Sequence, residues 1–98
     1  MKKIFLNKNL LSKLCKSFDA DFLGIFGSYS RGDNNGGSDL DLLVRFKKRK
    51  SLLEIVQIER ELSATLGIKI DLITENSVSP YLKDRIENDL EVLYGAKR

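Results

Sequence analysis

Three aspartates, one Gly-Ser turn and one arginine are the residues of this chain whose types and spacing can do chemistry. In Asp39-Leu40-Asp41 an extended backbone puts both carboxylates on one face, about 6.6 Å apart by Cα at a rise of ~3.3 Å per residue. Like charges that close repel, and nothing near in sequence neutralises both. A divalent cation removes the conflict, and oxygen-only donors suit Mg²⁺ or Mn²⁺. Asp71, between Ile70 and Leu72, is a third candidate ligand, because a carboxylate among strand hydrophobics is costly to bury unless paired or metal-bound. A carboxylate pair is also what a solvated sheet face presents, so the pair by itself decides little. The preceding turn adds to it. Gly27 lets an anion approach the backbone N–H groups, Ser28 adds a hydroxyl donor, and Arg31, one helical turn later, could reach the same phosphate chain. Coupled to the carboxylates, the turn makes a cradle for a nucleoside triphosphate beside its metals.

Composition narrows the chemistry further. The chain has no histidine and a single cysteine, Cys15, which excludes the usual zinc sites, a serine–histidine hydrolase and an intrachain disulfide framework. One cysteine fits a reducing cytoplasm, and its place on an apolar stripe reads as a core residue rather than a reactive thiol. At 98 residues, 42% hydrophobic and 32% charged, the expectation is one soluble domain spanning residues 1–98. No targeting signal or apolar run of membrane-spanning length is evident. The net charge of +3 hides an asymmetry: residues 1–50 carry 11 basic and 5 acidic side chains, residues 51–98 carry 6 and 9. Much of the basic excess is Lys47-Lys48-Arg49-Lys50, read as a solvated turn, with a patch for an acidic partner or phosphates as the alternative.

These residues need elements to position them. Leu10, Leu11, Leu14, Cys15 and Phe18 recur at helical spacing and predict an amphipathic helix over 8–18. Residues 20–26 are apolar on both alternating faces, as a central buried strand is. A Gly/Ser/Asn/Asp-rich loop runs from Gly27 to Gly37, with one helical turn expected around Tyr29 to Arg31. Strand character returns over 38–46, with Asp39 and Asp41 opposite Leu40 and Leu42. Ser51 and Glu54 have capping-box spacing ahead of a helical stripe that ends at Gly67. Ile68, Ile70 and Leu72 alternate as a third strand, Ser79-Pro80 opens a helix anchored by Leu82 and Ile86, and Glu91 to Tyr94 read as a short edge strand. The fold class is α+β (mixed α/β): a small mixed sheet with helices packed on it.

Gly27-Ser28, the ten residues Tyr29 to Ser38, and then Asp39-Leu40-Asp41 resemble the GSx10DxD signature of the DNA polymerase β-like nucleotidyltransferases. Asp71 in Lys69-Ile70-Asp71-Leu72-Ile73 matches the third carboxylate of that family. At this length the chain looks like the minimal nucleotidyltransferase (MNT) subgroup, the antitoxin half of HEPN–MNT pairs. The resemblance implies the polymerase β-like fold, with Asp39, Asp41 and Asp71 holding two Mg²⁺ ions, Asp71 taking the acceptor's proton, and Gly27, Ser28 and Arg31 binding the phosphates of ATP. It further implies transfer of AMP to a tyrosine of a HEPN RNase toxin with release of pyrophosphate. The rival reading is a non-catalytic antitoxin that masks its partner stoichiometrically. Direct nucleic-acid binding through Lys47–Lys50 ranks below both, since no aromatic stacking platform lies near that run, although Tyr29 sits in the motif loop.

Overall fold

The computed structural model describes residues 8–27 and 39–95. Helix α1 spans Lys8–Ser17 and buries Leu11 and Cys15, one turn apart on the predicted stripe. Asp19 then turns the chain with φ 61°, a left-handed conformation that a short polar side chain tolerates. Strand β1 (Ala20–Phe26) follows, and β2 (Leu40–Phe46) pairs with it antiparallel. Helix α2 (Leu52–Leu66) returns the chain so that β3 (Ile70–Thr74) lies parallel to β2. Its start carries the full capping box: the Glu54 N–H donates to Ser51 Oγ and the Ser51 N–H donates to the Glu54 carboxylate. The Ser51 N–H and then its hydroxyl hold the Glu54 carboxyl below the usual carboxylate range. The helix ends at Gly67, whose φ of 70° suits a residue without Cβ. After a 3₁₀ turn at Glu75–Ser77, Pro80 occupies the first turn of α3 (Pro80–Asp89), and β4 (Glu91–Gly95) closes the sheet beside β1.

The sheet order is β3-β2-β1-β4, so β1 and β2 are the interior strands and β4 is an edge strand, as expected. Alternation divides β2 between two cores. Leu40, Leu42 and Val44 pack with α1 and α2, through Leu11, Cys15, Ile58 and Leu62. Leu43 packs on the opposite face with Phe22 and with Ile86 of α3. The carboxylate-bearing face is therefore the α3 face. On that face a Cβ at Gly24 of β1 would stand 2.5 Å from Leu90 Cδ1, so a larger residue there would have to shift the tip of that leucine. No helix among the described residues is long and apolar enough to cross a membrane.

Three details depart from the sequence expectation. Leu82 does not anchor α3 beside Ile86: it is 47% exposed, whereas Ile86 is buried, so one full-depth anchor serves a helix of ten residues. The basic turn is solvated only in part. Lys47, Lys48 and Arg49 are exposed, but Lys50 folds back to Asp19 Oδ2 at 3.4 Å and Glu54 Oε2 at 4.0 Å, with its ammonium 5.9 Å from the centre of the Phe46 ring. Asp71 is exposed rather than buried, which removes the desolvation cost assigned to it from the sequence.

Cys15 behaves as the core residue expected. It is 4% exposed, and burial pushes its thiol up to about 11. The unfolded thiol ionises first as pH rises, so this group makes the fold less stable through the interval from about 9 to about 11. At pH 8 a thiol reagent is expected to label native Cys15 at least about 100-fold more slowly than the denatured chain, because the thiolate is both scarcer and covered. Native labelling at the denatured rate would contradict this burial.

Candidate active site

One end of the sheet collects the carboxylates. β2 begins at this end and β3 runs parallel to it, so Asp41 and Asp71 are register partners and project from the same face of neighbouring strands. Asp39 precedes β2 by one residue and shares the Asp41 face; the Leu40 N–H that follows it donates to the Lys69 carbonyl at 2.9 Å, fixing the entry of β2 against the entry of β3. Two side chains of α2 steady β3 around Asp71. The Leu72 N–H donates to Glu59 Oε2 at 2.9 Å, and Ser63 Oγ donates to the Ile68 carbonyl at 2.8 Å. Neither Glu59 nor Ser63 stands out in the sequence, because their role is visible only once α2 lies over the β3 edge.

β1 runs antiparallel to β2, so its C-terminal end reaches the same place: Phe26 pairs with Asp41, and Gly27 follows. Gly27 has φ +80°, and a Cβ there would overlap the Asp41 carboxylate. Glycine is required twice, by the left-handed backbone and by the carboxylate stacked against it. The phosphate-binding turn assigned from the sequence thus starts in contact with a candidate metal ligand. Ser28 and Arg31, and the loop helical turn, lie outside the described residues, as does Tyr29.

The structure brings together the backbones of Asp39, Asp41 and Asp71, but not all three carboxylates at one point. Among the described residues, no three His, Cys, Asp or Glu side chains converge at metal-binding distance. Asp39 Oδ2 instead sits 4.0 Å from the ammonium of Lys69, itself 81% exposed. An exposed contact of that length holds a side chain weakly. An oxygen-only set on one face, with Asp41 half-buried and the others at the surface, fits a hard cation such as Mg²⁺, which keeps several waters and takes few protein ligands.

A cavity of about 330 Å³ opens beside this end, with Gly27, Asp41 and Ile73 on the sheet side and Leu82, Arg85 and Asp89 of α3 opposite. Two further clefts, of about 340 and 480 Å³, lie by Phe22 and Val78 and along the basic turn, and neither contains a residue of the carboxylate set. Size does not choose among them; the chemistry of the lining does.

Residues 8–93 match the family model for the nucleotidyltransferase domain. The chain belongs to that family. A protein of Methanocaldococcus jannaschii, named for an inferred protein adenylyltransferase activity, is 41% identical over 95 residues, covering 92% of this chain and 97% of the relative. Among solved structures, this nucleotidyltransferase is similar to a chain of a toxin–antitoxin crystallised with AMP-PNP, with TM-score 0.81, 26% identity and coverage of 94% of this chain and 76% of the other. It is also similar to a structure named for an inferred minimal nucleotidyltransferase, with TM-score 0.74, 30% identity and 86% of each chain covered. The fold expectation is met: the mixed four-stranded sheet and its helices are those of the polymerase β-like minimal nucleotidyltransferases.

Proposed function

We propose that this nucleotidyltransferase is an antitoxin that transfers AMP from ATP to a tyrosine of a cognate HEPN RNase toxin. The observation that carries the reading is the placing of Asp39, Asp41 and Asp71 at one sheet end with Gly27 against Asp41. The Methanocaldococcus relative named for protein adenylyltransferase activity supports AMP as the transferred group, and the toxin–antitoxin neighbour bound to AMP-PNP supports the partner class and the donor. The HEPN identity of the partner and its tyrosine rest on the resemblance to the minimal nucleotidyltransferases of HEPN–MNT pairs described above. A free thiol in the core suits the reducing cytoplasm in which an RNase toxin acts.

Each residue then has a task. The N–H groups of the turn opened by Gly27, with the Ser28 hydroxyl, hold the β- and γ-phosphates, and Arg31 adds charge along the same chain. Asp39, Asp41 and Asp71 are the ligands for Mg²⁺, Mn²⁺ being an alternative of the same chemistry. Two such ions, when bound, neutralise the triphosphate and raise the nucleophilicity of the acceptor hydroxyl. Asp71, exposed at the edge of the set, takes the proton from the tyrosine hydroxyl, since the chain has no histidine to do so. The tyrosine oxygen forms a bond to the α-phosphorus, the bond from that phosphorus to the bridging oxygen breaks, and pyrophosphate leaves with the electron pair. Positioning and charge neutralisation supply most of the acceleration.

Purified protein incubated with α-labelled ATP, Mg²⁺ and the cognate HEPN chain is expected to label the HEPN chain, and to neutralise its RNase activity at substoichiometric amounts. A folded complex that carries no label and is silenced only at equimolar antitoxin would instead establish stoichiometric masking.

A further inference from the structure

The carboxylate set and the Gly27 turn account for the phosphates of a nucleotide and leave its nucleoside without a place. The cavity beside Asp41 supplies one. Its volume, about 330 Å³, is at the small end of the ~300–1,000 Å³ range of small-molecule sites. Gly27 and Asp41, at the phosphate end, line the same cavity as α3, so a group joined to the α-phosphate through one ribose extends towards that helix. The walls are apolar where a flat ring would lie: Phe26 and Ile73 on the sheet, Leu82 and Ile86 on α3. Leu82 is 47% exposed at the cavity mouth, an apolar surface that the fold itself leaves uncovered. Among the described residues the charged lining is Arg85 with Asp41 and Asp89.

Deepening the nucleotidyltransferase reading, on which it rests, the geometry points to this cleft as the nucleoside subsite and to Arg85 as the residue that positions the base. Leu82, Arg85 and Ile86 fall at i, i+3 and i+4, so α3 turns all three to the cavity together. Among the described residues Arg85 is held by no ion pair, and its planar guanidinium is suited to stacking on an aromatic base as a lysine ammonium is not. Arg85 thus differs from Arg31: it contacts the nucleoside, not the phosphates.

The test is equilibrium binding of AMP-PNP and of inorganic tripolyphosphate, each with Mg²⁺, to wild type, Arg85→Ala and Arg85→Lys. Arg85 is an exposed helical residue, and alanine is a good helix former, so both variants are expected to melt with the wild type. Arg85→Ala should raise the Kd for AMP-PNP about tenfold, with Arg85→Lys recovering little, while the Kd for tripolyphosphate stays within twofold. Equal loss for both ligands, or full recovery by lysine, would make Arg85 a phosphate contact and overturn the assignment, as would unchanged AMP-PNP affinity. Transfer by the wild type is scored alongside. If AMP-PNP binding weakens as expected but the wild type transfers nothing, the subsite stands and the enzymatic reading falls. If the wild type transfers AMP and Arg85→Ala binds normally, the subsite alone falls.

Discussion

Asp41→Asn is expected to lower AMP transfer by at least about a thousandfold, equivalent to ~4 kcal/mol of transition-state stabilisation. Asn keeps the size and shape of the side chain, so the close seat beside Gly27 is undisturbed. The charge is what changes. Asp41 stands beside Asp71 in register and shares a face with Asp39, so it is one of three like charges that a bound cation would offset. Mg²⁺ should therefore raise the melting temperature of the wild type more than that of the variant, because a ligand that binds only the folded chain stabilises it in proportion to its affinity, and the variant binds the ion less well. An equal Mg²⁺-dependent rise in both proteins would mean that Asp41 is not a ligand of the ion.

The second large effect comes from Gly27→Val and includes a loss of stability. At φ +80° a β-branched residue is strained, costing on the order of 1–3 kcal/mol, and its side chain must also displace the Asp41 carboxylate. For a domain of this size each kcal/mol moves the melting temperature by roughly 4–8 °C, so a fall of about 5–20 °C is expected. Transfer should drop at least about a hundredfold even at temperatures where the variant is fully folded, since a misplaced ligand and a blocked anion approach act together. Gly27→Ala should be milder in both measures, having the strain and the Cβ contact but no branches. Equal activity of Gly27→Val and wild type, assayed on folded protein, would remove the phosphate-binding role given to this turn.

What was legible in the sequence is what depends on short spacing. Asp39 and Asp41 alternate with Leu40 and Leu42, and the strand period alone put the acids on one face and the leucines in the core. Ser51 with Glu54, Gly67 and Ser79-Pro80 marked helix ends where the structure has them: the capping box and the left-handed glycine are satisfied within a turn of chain, and Pro80 carries a φ preset for a first helical turn. The lost detail is long-range. Which helix covers the carboxylate face depends on β4 returning to pair with β1, and no local pattern in Leu82, Arg85 or Ile86 announces that they face Asp41. Glu59 reads as one more acid on an exposed helix face, yet it accepts the Leu72 N–H at the edge of the sheet. Lys50 reads as part of a basic run, yet acidic partners 31 residues earlier and four residues later draw it away from solvent. The exposure of Asp71 likewise follows from β3 being an edge strand whose α3-side face is only partly covered, a matter of tertiary packing rather than of its apolar neighbours.

Covalent nucleotide transfer at the Asp39–Asp41 site is how this chain is proposed to disarm its partner. Intact mass measurement of the partner, after co-expression with wild type or with Asp39→Asn, tests it most directly. Added mass in whole AMP units is expected with wild type and none with the variant, the two proteins being present at equal levels. An unmodified partner that is nevertheless silenced by wild type, or identical modification by the variant, would contradict it.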